Sequence, residues 1–211
     1  MGPETFFTEQ LAMLDAFFSD PSRTCHVVRI DPEMRRMPYN YLARRDEDPT
    51  FPHLIFAHQE PFTSAEAWFA RLTSMLHAQI ADARENLAAA GVNVEVPPQR
   101  QERANKPWES WIDWTGQIAD SLPAHAGALV FLIEPGEVAD ASVWNKALCF
   151  LADFTRSDRV KYLIIEPRLT PLLDDACEHP RIGSQLFWMS PAEIEQRAND
   201  VLLATQTARL Q

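Results

Sequence analysis

The sequence predicts an α/β protein, a three-layer sandwich with a mostly parallel sheet of about five strands. One observation is a repeated punctuation. Apolar runs beginning at His26, Leu54, Leu129 and Tyr162 each stop at an acid and a proline: Asp31-Pro32, Glu60-Pro61, Glu134-Pro135 and Glu166-Pro167. The runs are short and rich in β-branched or aromatic residues, and proline cannot donate to a sheet ladder, so each reads as a strand with its end marked. The other observation is that helical spacings fill the gaps between runs, the alternation of a parallel sheet with helices on its faces. Strands ending alike place their acids along one edge, and open α/β sheets bind ligands at that edge.

Each element follows in order. Phe6, Phe7, Leu11, Leu14, Phe17 and Phe18 recur at helical spacing, and Pro21 closes this first helix. The first strand spans about Cys25 to Ile30. After it comes a basic stretch with Arg35, Arg36, Arg44 and Arg45, then the turn-rich Asp46–Pro49. Strand two spans about His53 to Ala57. Thr63 and Glu66 form a capping-box pair for the next helix, whose stripe is Trp68, Phe69, Leu72, Met75, Leu76, Ile80, Ala83 and Leu87. Gly91 supplies its stop. Residues 92–107 carry prolines and charges with little apolar content, so they read as an exposed insertion within a single domain of residues 1–211. A helix with Trp108, Trp111, Ile112, Trp114, Ile118 and Leu122 precedes strand three. Asp140 caps the following helix, whose buried side carries Val143, Trp144, Ala147, Leu148, Leu151 and Phe154. Strand four leads to Thr170-Pro171, an N-cap with proline at the first helical position. A fifth strand, Gln185–Met189, ends at the capping box Ser190–Glu193, and a last helix turns Ile194, Ala198, Val201 and Leu202 inward.

Composition narrows the function. Hydrophobic residues make up 46% and aromatics 10%, enough for a globular core. A formal net charge of −11 argues against nucleic acid as a partner, because phosphate neutralisation needs a basic surface, and favours a basic protein partner. No apolar run reaches the roughly 20 residues that span a bilayer, and the start of the chain has no basic, apolar leader. Cys25, Cys149 and Cys177 are odd in number and outside any C-x-x-C pattern. A cytoplasmic, reduced protein without metal or other cofactor is the expectation.

The nucleotide-binding motifs are absent. The six glycines are Gly2, Gly91, Gly116, Gly127, Gly136 and Gly183, and none follows the first strand. Neither G-x-G-x-x-G nor G-x-x-x-x-G-K-[ST] occurs, and Pro32 removes a backbone N–H where a phosphate would need one. The layout nonetheless resembles a P-loop NTPase of the AAA or STAND type with a degenerate site. The resemblance lies in the helix before strand one, in Leu129–Glu134 as a Walker B-like strand, in Val160–Glu166 at the sensor-strand place, and in Ser190–Ile194 at the next strand-to-helix junction. It covers about residues 5–205 at the level of order and spacing. Asp31–Arg36 stands where Walker A belongs, and Pro135 replaces a second acid. The resemblance therefore implies the fold without the ATPase activity.

Several residues remain candidates for function. Asp31, Glu60, Glu134 and Glu166 either converge on Mg²⁺ or an acid–base role, with Glu134 and Glu166 as the catalytic pair, or simply end strands and cap helices. Arg35 and Arg36 either grip an anion with forked hydrogen bonds or pair with Asp46, Glu47 and Asp48. The histidines lack H-x-H or H-E-x-x-H spacing, which argues against zinc. Trp108, Trp111 and Trp114 either anchor a protein interface or clamp their helix to the sheet; Trp108 is expected inside, with Trp111 or Trp114 more exposed. The leading expectation is a non-enzymatic interaction, scaffolding or regulatory module using the insertion and the tryptophan helix, with assembly into a homo-oligomer compatible with it. The alternative is a Mg²⁺-dependent phosphohydrolase or nucleotide-processing enzyme.

Overall fold

Five parallel strands, β1 (Cys25–Ile30), β2 (Leu54–His58), β3 (Leu129–Ile133), β4 (Val160–Pro167) and β5 (Ile182–Phe187), form one sheet in the order β2-β3-β4-β1-β5. The computed structural model describes residues 7–48, 50–89, 91, 107–188, 190, 192, 193, 195 and 196. Among the described residues five α-helices cover the sheet: α1 (Thr8–Ser19), α2 (Arg36–Asp46), α3 (Ala65–Ala89), α4 (Pro107–Ser121) and α5 (Ala141–Phe154). The α/β sandwich expected from the sequence is the fold.

Alternation along the strands splits the core in two. Val28, Ile30, Val130, Leu132, Leu163 and Ile165 face α1 and α2, meeting Leu14, Phe17, Phe18, Met37 and Leu42. Their odd-numbered or even-numbered neighbours Val27, Leu129, Phe131, Ile133, Tyr162 and Ile164 face α3, α4 and α5. Both faces are covered, so β3 is buried at all five positions, as a central parallel strand must be.

Local signals placed most element ends. Asp140 accepts the Val143 N–H at 3.1 Å and starts α5. Gly91, at φ 75°, follows the end of α3 in the left-handed conformation that glycine adopts without strain. Ser190 and Glu193 form the reciprocal box, at 2.7 Å and 3.2 Å. At α3 the cap is Ser64, whose hydroxyl accepts the Ala67 N–H, rather than Thr63.

The basic stretch after β1, for which the sequence set no element bounds, is a 3₁₀ turn (Pro32–Met34) followed by α2, which buries Met37, Pro38 and Leu42. Other expectations are corrected. No helix starts at Thr170. Instead, tertiary bonds hold that backbone: Glu166 accepts the Leu172 N–H, while Asn145 donates to the Leu172 carbonyl and accepts from the Ala176 N–H. β5 begins at Ile182, three residues earlier than expected, because β1 pairs Cys25 with Ile182 and His26 with Gly183. A side chain at 183 would meet the His26 ring, with Cβ 2.6 Å from Nδ1, so the strand needs glycine there. Phe154 is exposed at the end of α5 rather than buried. The insertion expected at 92–107, apart from Pro107, and Ile194, Ala198, Val201 and Leu202 of the expected last helix lie outside the described residues.

Candidate functional site

The crossover from β1 leaves through α2 on one face toward β2, whereas the β4–β5 connection buries Leu173 and Ala176 against the other face. The chain therefore diverges above the carboxyl ends of β1 and β4, the position of ligand crevices in open α/β sheets. Here that place is filled by the protein's own side chains. The Arg168 N–H donates to the Ile30 carbonyl at 3.0 Å, and its Nε donates to Asp31 Oδ1 at 2.8 Å. The Arg168 guanidinium lies 5.1 Å from the centre of the Trp188 ring, within cation–π range. Arg168 thus ties the two strand ends together across the crevice.

The loop after β1 offers no phosphate cradle. The Met34 N–H turns back to the Asp31 carbonyl, the Arg35 N–H turns back to Pro32, and Pro32 has none to give. A nest of free N–H groups is what holds a phosphate in a P-loop, and these groups are used internally.

The four edge acids do not converge. Asp31 belongs to Arg168. Glu60 lies 3.4 Å from Arg71, both well exposed. Glu134 accepts the Tyr39 hydroxyl at 2.7 Å and Gln59 at 3.4 Å, and its other oxygen is 3.9 Å from Arg35. Burial pushes the Tyr39 phenol above its ordinary range, so it stays a proton donor to Glu134. Glu166 is 3% exposed and shares the face of Tyr162 and Ile164. The β1–β4 register sets it directly beside Arg29, whose Nε donates to Oε1 at 2.8 Å, and Oε2 accepts the Leu172 N–H at 2.9 Å. Arg29 reaches on to Asp174. Glu134 and Glu166 therefore sit on adjacent strands but have separate partners. Among the described residues no group of three or more His, Cys, Asp or Glu side chains is arranged to hold a metal ion.

Arg35 and Arg36 begin α2 without forming a pair on one ligand: Arg35 leans toward Glu134, and Arg36 is exposed. Neither joins Asp48, which is held by Arg45 at 3.1 Å.

The tryptophan helix reverses the expected exposure. Trp111 is fully buried, packs on Phe131 with centroids 4.8 Å apart, and donates from Nε1 to the Tyr162 hydroxyl at 3.0 Å. Trp114 is buried and stacks on His77 of α3 at 4.4 Å. Trp108 is the half-buried one. The cause is lateral: α4 packs against α3 as well as the sheet, so its buried arc is wide enough to include position 114. These residues clamp a helix to the core.

No family model matches the chain, and no curated protein or solved structure matches it significantly. Sequence reading missed Arg29, Tyr39, Arg168 and Trp188. The available signal was parity: Glu166 falls in step with Tyr162 and Ile164, and therefore faces a helix layer rather than the edge. The cations opposite each acid depend on strand order and register, which no local pattern specifies.

Proposed function

We propose that this chain is a non-enzymatic protein-interaction, scaffolding or regulatory module on a degenerate NTPase-like fold. One observation carries the reading. The crevice between β1 and β4, where such a fold would hold its ligand, is bridged by Arg168, Asp31 and Trp188. Two others support it. The Walker B-like strand β3 and the sensor-like strand β4 are neighbours, in keeping with the resemblance. The acid that ends β3, Glu134, is occupied by Tyr39 rather than held open toward a metal. A net charge of −11 points to a basic surface on the partner.

The alternative, a Mg²⁺-dependent phosphohydrolase using Glu134 and Glu166, has weaker support. It would need Glu166 to leave Arg29 and the Leu172 N–H, and a buried carboxylate that loses such partners is strongly destabilised. Titration calorimetry with Mg-ATP and Mg-GTP separates the two. We expect no saturable binding. Micromolar affinity that disappears on Arg35→Ala and Arg36→Ala replacement would remove the non-enzymatic reading and favour the enzyme.

A further inference from the structure

β2 is an edge strand. Leu54 donates its N–H to Ala128 and His58 offers its carbonyl to Glu134, so these residues face β3. Strand alternation then turns the backbone groups of Ile55 and Ala57 outward, away from the sheet. One of those groups has a side-chain partner, the Ala57 carbonyl, which accepts from Gln79 of α3 at 3.1 Å. No other described strand pairs with this side. An open row of N–H and C=O groups is a template for another strand.

The edge forms the floor of a groove of about 860 Å³, walled by the end of α2 and the loop after it on one side and the second half of α3 on the other. Phe51 and Leu87 supply apolar walls, and Asp46 supplies charge. Asp48 is neutralised by Arg45, but Asp46 and its neighbour Glu47 have no cation among the described residues. Partial burial, with Glu47 beside it, pulls the Asp46 carboxyl upward, as expected for a carboxylate lacking a counter-charge.

From these features we infer that the outer edge of β2 is a strand-addition site for an extended, basic segment of another protein. The inference rests on the interaction-module reading and assigns that module its surface. An extended chain is the occupant because its free backbone groups can meet those of Ile55 and Ala57, whereas a helix has used its own internally. It is basic because a Lys or Arg near the Leu54 end would meet Asp46, which lines the groove. A second copy of this chain would instead bring another acidic rim against the first, and like charges oppose that pairing. Gln79 acts as the local cover that an arriving strand displaces from the Ala57 carbonyl.

The test uses the full chain and a displayed library of random peptides of about nine residues, long enough to pair with a strand of ordinary length. Selected peptides should alternate apolar and polar residues, carry Lys or Arg, and bind more weakly as salt rises. Ala57→Pro removes only an outward N–H, so the melting profile should hold while peptide affinity falls about tenfold or more. Methylating alternate backbone nitrogens of a selected peptide should cause a similar loss with the protein unaltered, which decides the matter if the proline variant is unstable. Failure to enrich any peptide, enrichment of acidic ones, or equal binding to Ala57→Pro and wild type would overturn the inference. Self-association abolished by Ala57→Pro would also overturn it, in favour of a second copy. Peptides that bind elsewhere would overturn the edge inference while leaving the interaction-module reading standing; nucleotide binding in calorimetry would remove that reading without touching the edge result.

Discussion

Glu166 has both carboxylate oxygens engaged on the inner side of β4, one by Arg29 and one by the Leu172 N–H. Glu166→Ala would strand a half-buried guanidinium and an amide donor together, at a cost of about 3 kcal/mol. Glu166→Gln keeps an acceptor for Leu172 and should recover part of that. Urea midpoints of the two variants measure this; an alanine effect below about 1 kcal/mol would put the pair among weak surface bridges instead. Trp111 makes the same kind of argument with an apolar side chain. Trp111→Ala removes a fully buried indole and the N–H that donates to the Tyr162 hydroxyl, so the isolated protein should lose about 3–5 kcal/mol. Thermal melts test it. A near-native melt would return Trp111 to the surface and to the interface alternative that its spacing left open.

Elements were legible where their signals are local. Asp140, Gly91 and the Ser190–Glu193 box each act within one turn of chain, and the apolar stripe of α3 is visible in sequence without knowing its neighbours. α2 and the β4–β5 connection were not legible, because distant contacts decide them. Met37, Pro38 and Leu42 make a sparse stripe that becomes a helix against the sheet, and Thr170-Pro171 is held out of helix by Glu166 and Asn145. Arg159 is the clearest case of an element end fixed from afar. Its guanidinium donates to the carbonyls of Leu122, Pro123, Ala126 and Gly127, closing the chain beyond α4, at 2.6–3.2 Å. Arg181 does likewise for the Ala152 and Thr155 carbonyls at the end of α5. Such cations satisfy orphan acceptors and oppose the negative end of the helix dipole. Arg159→Ala should cost about 3 kcal/mol, and Arg159→Lys should restore only part because lysine lacks the planar fork. Hydrogen exchange at residues 118–122 should rise in both; unchanged protection there would show that the end of α4 does not depend on Arg159.

At the scale of the molecule, three imidazoles in different parts of the fold are held neutral. Burial pulls the pKa values of His26, His53 and His58 downward. His53 also accepts the Ala128 N–H at Nδ1, a role open only to the neutral ring. Unfolded histidine binds a proton near pH 6.5, so between that value and the folded values the unfolded chain carries more protons. Stability is then complete above about pH 6.5 and is lost as pH falls through the folded pKa values. Denaturant midpoints should drop from about pH 7.5 to about pH 5.5 with net proton uptake on unfolding, and a flat profile would refute this. Strand order belongs to the same scale and was the least legible property: four similar strand ends say that the sheet is parallel, not which strand lies beside which. That order has a temporal consequence. β1 pairs only with β4 and β5, and Arg29 meets Glu166 across 137 positions. β2 and β3 can find each other earlier, but a chain ending before Val160 has no neighbour for Val27 and Val28. Closing that long loop precedes any reward from the contacts it makes, so folding should be slow and late, with the earliest-synthesised of these five strands among the last to be seated.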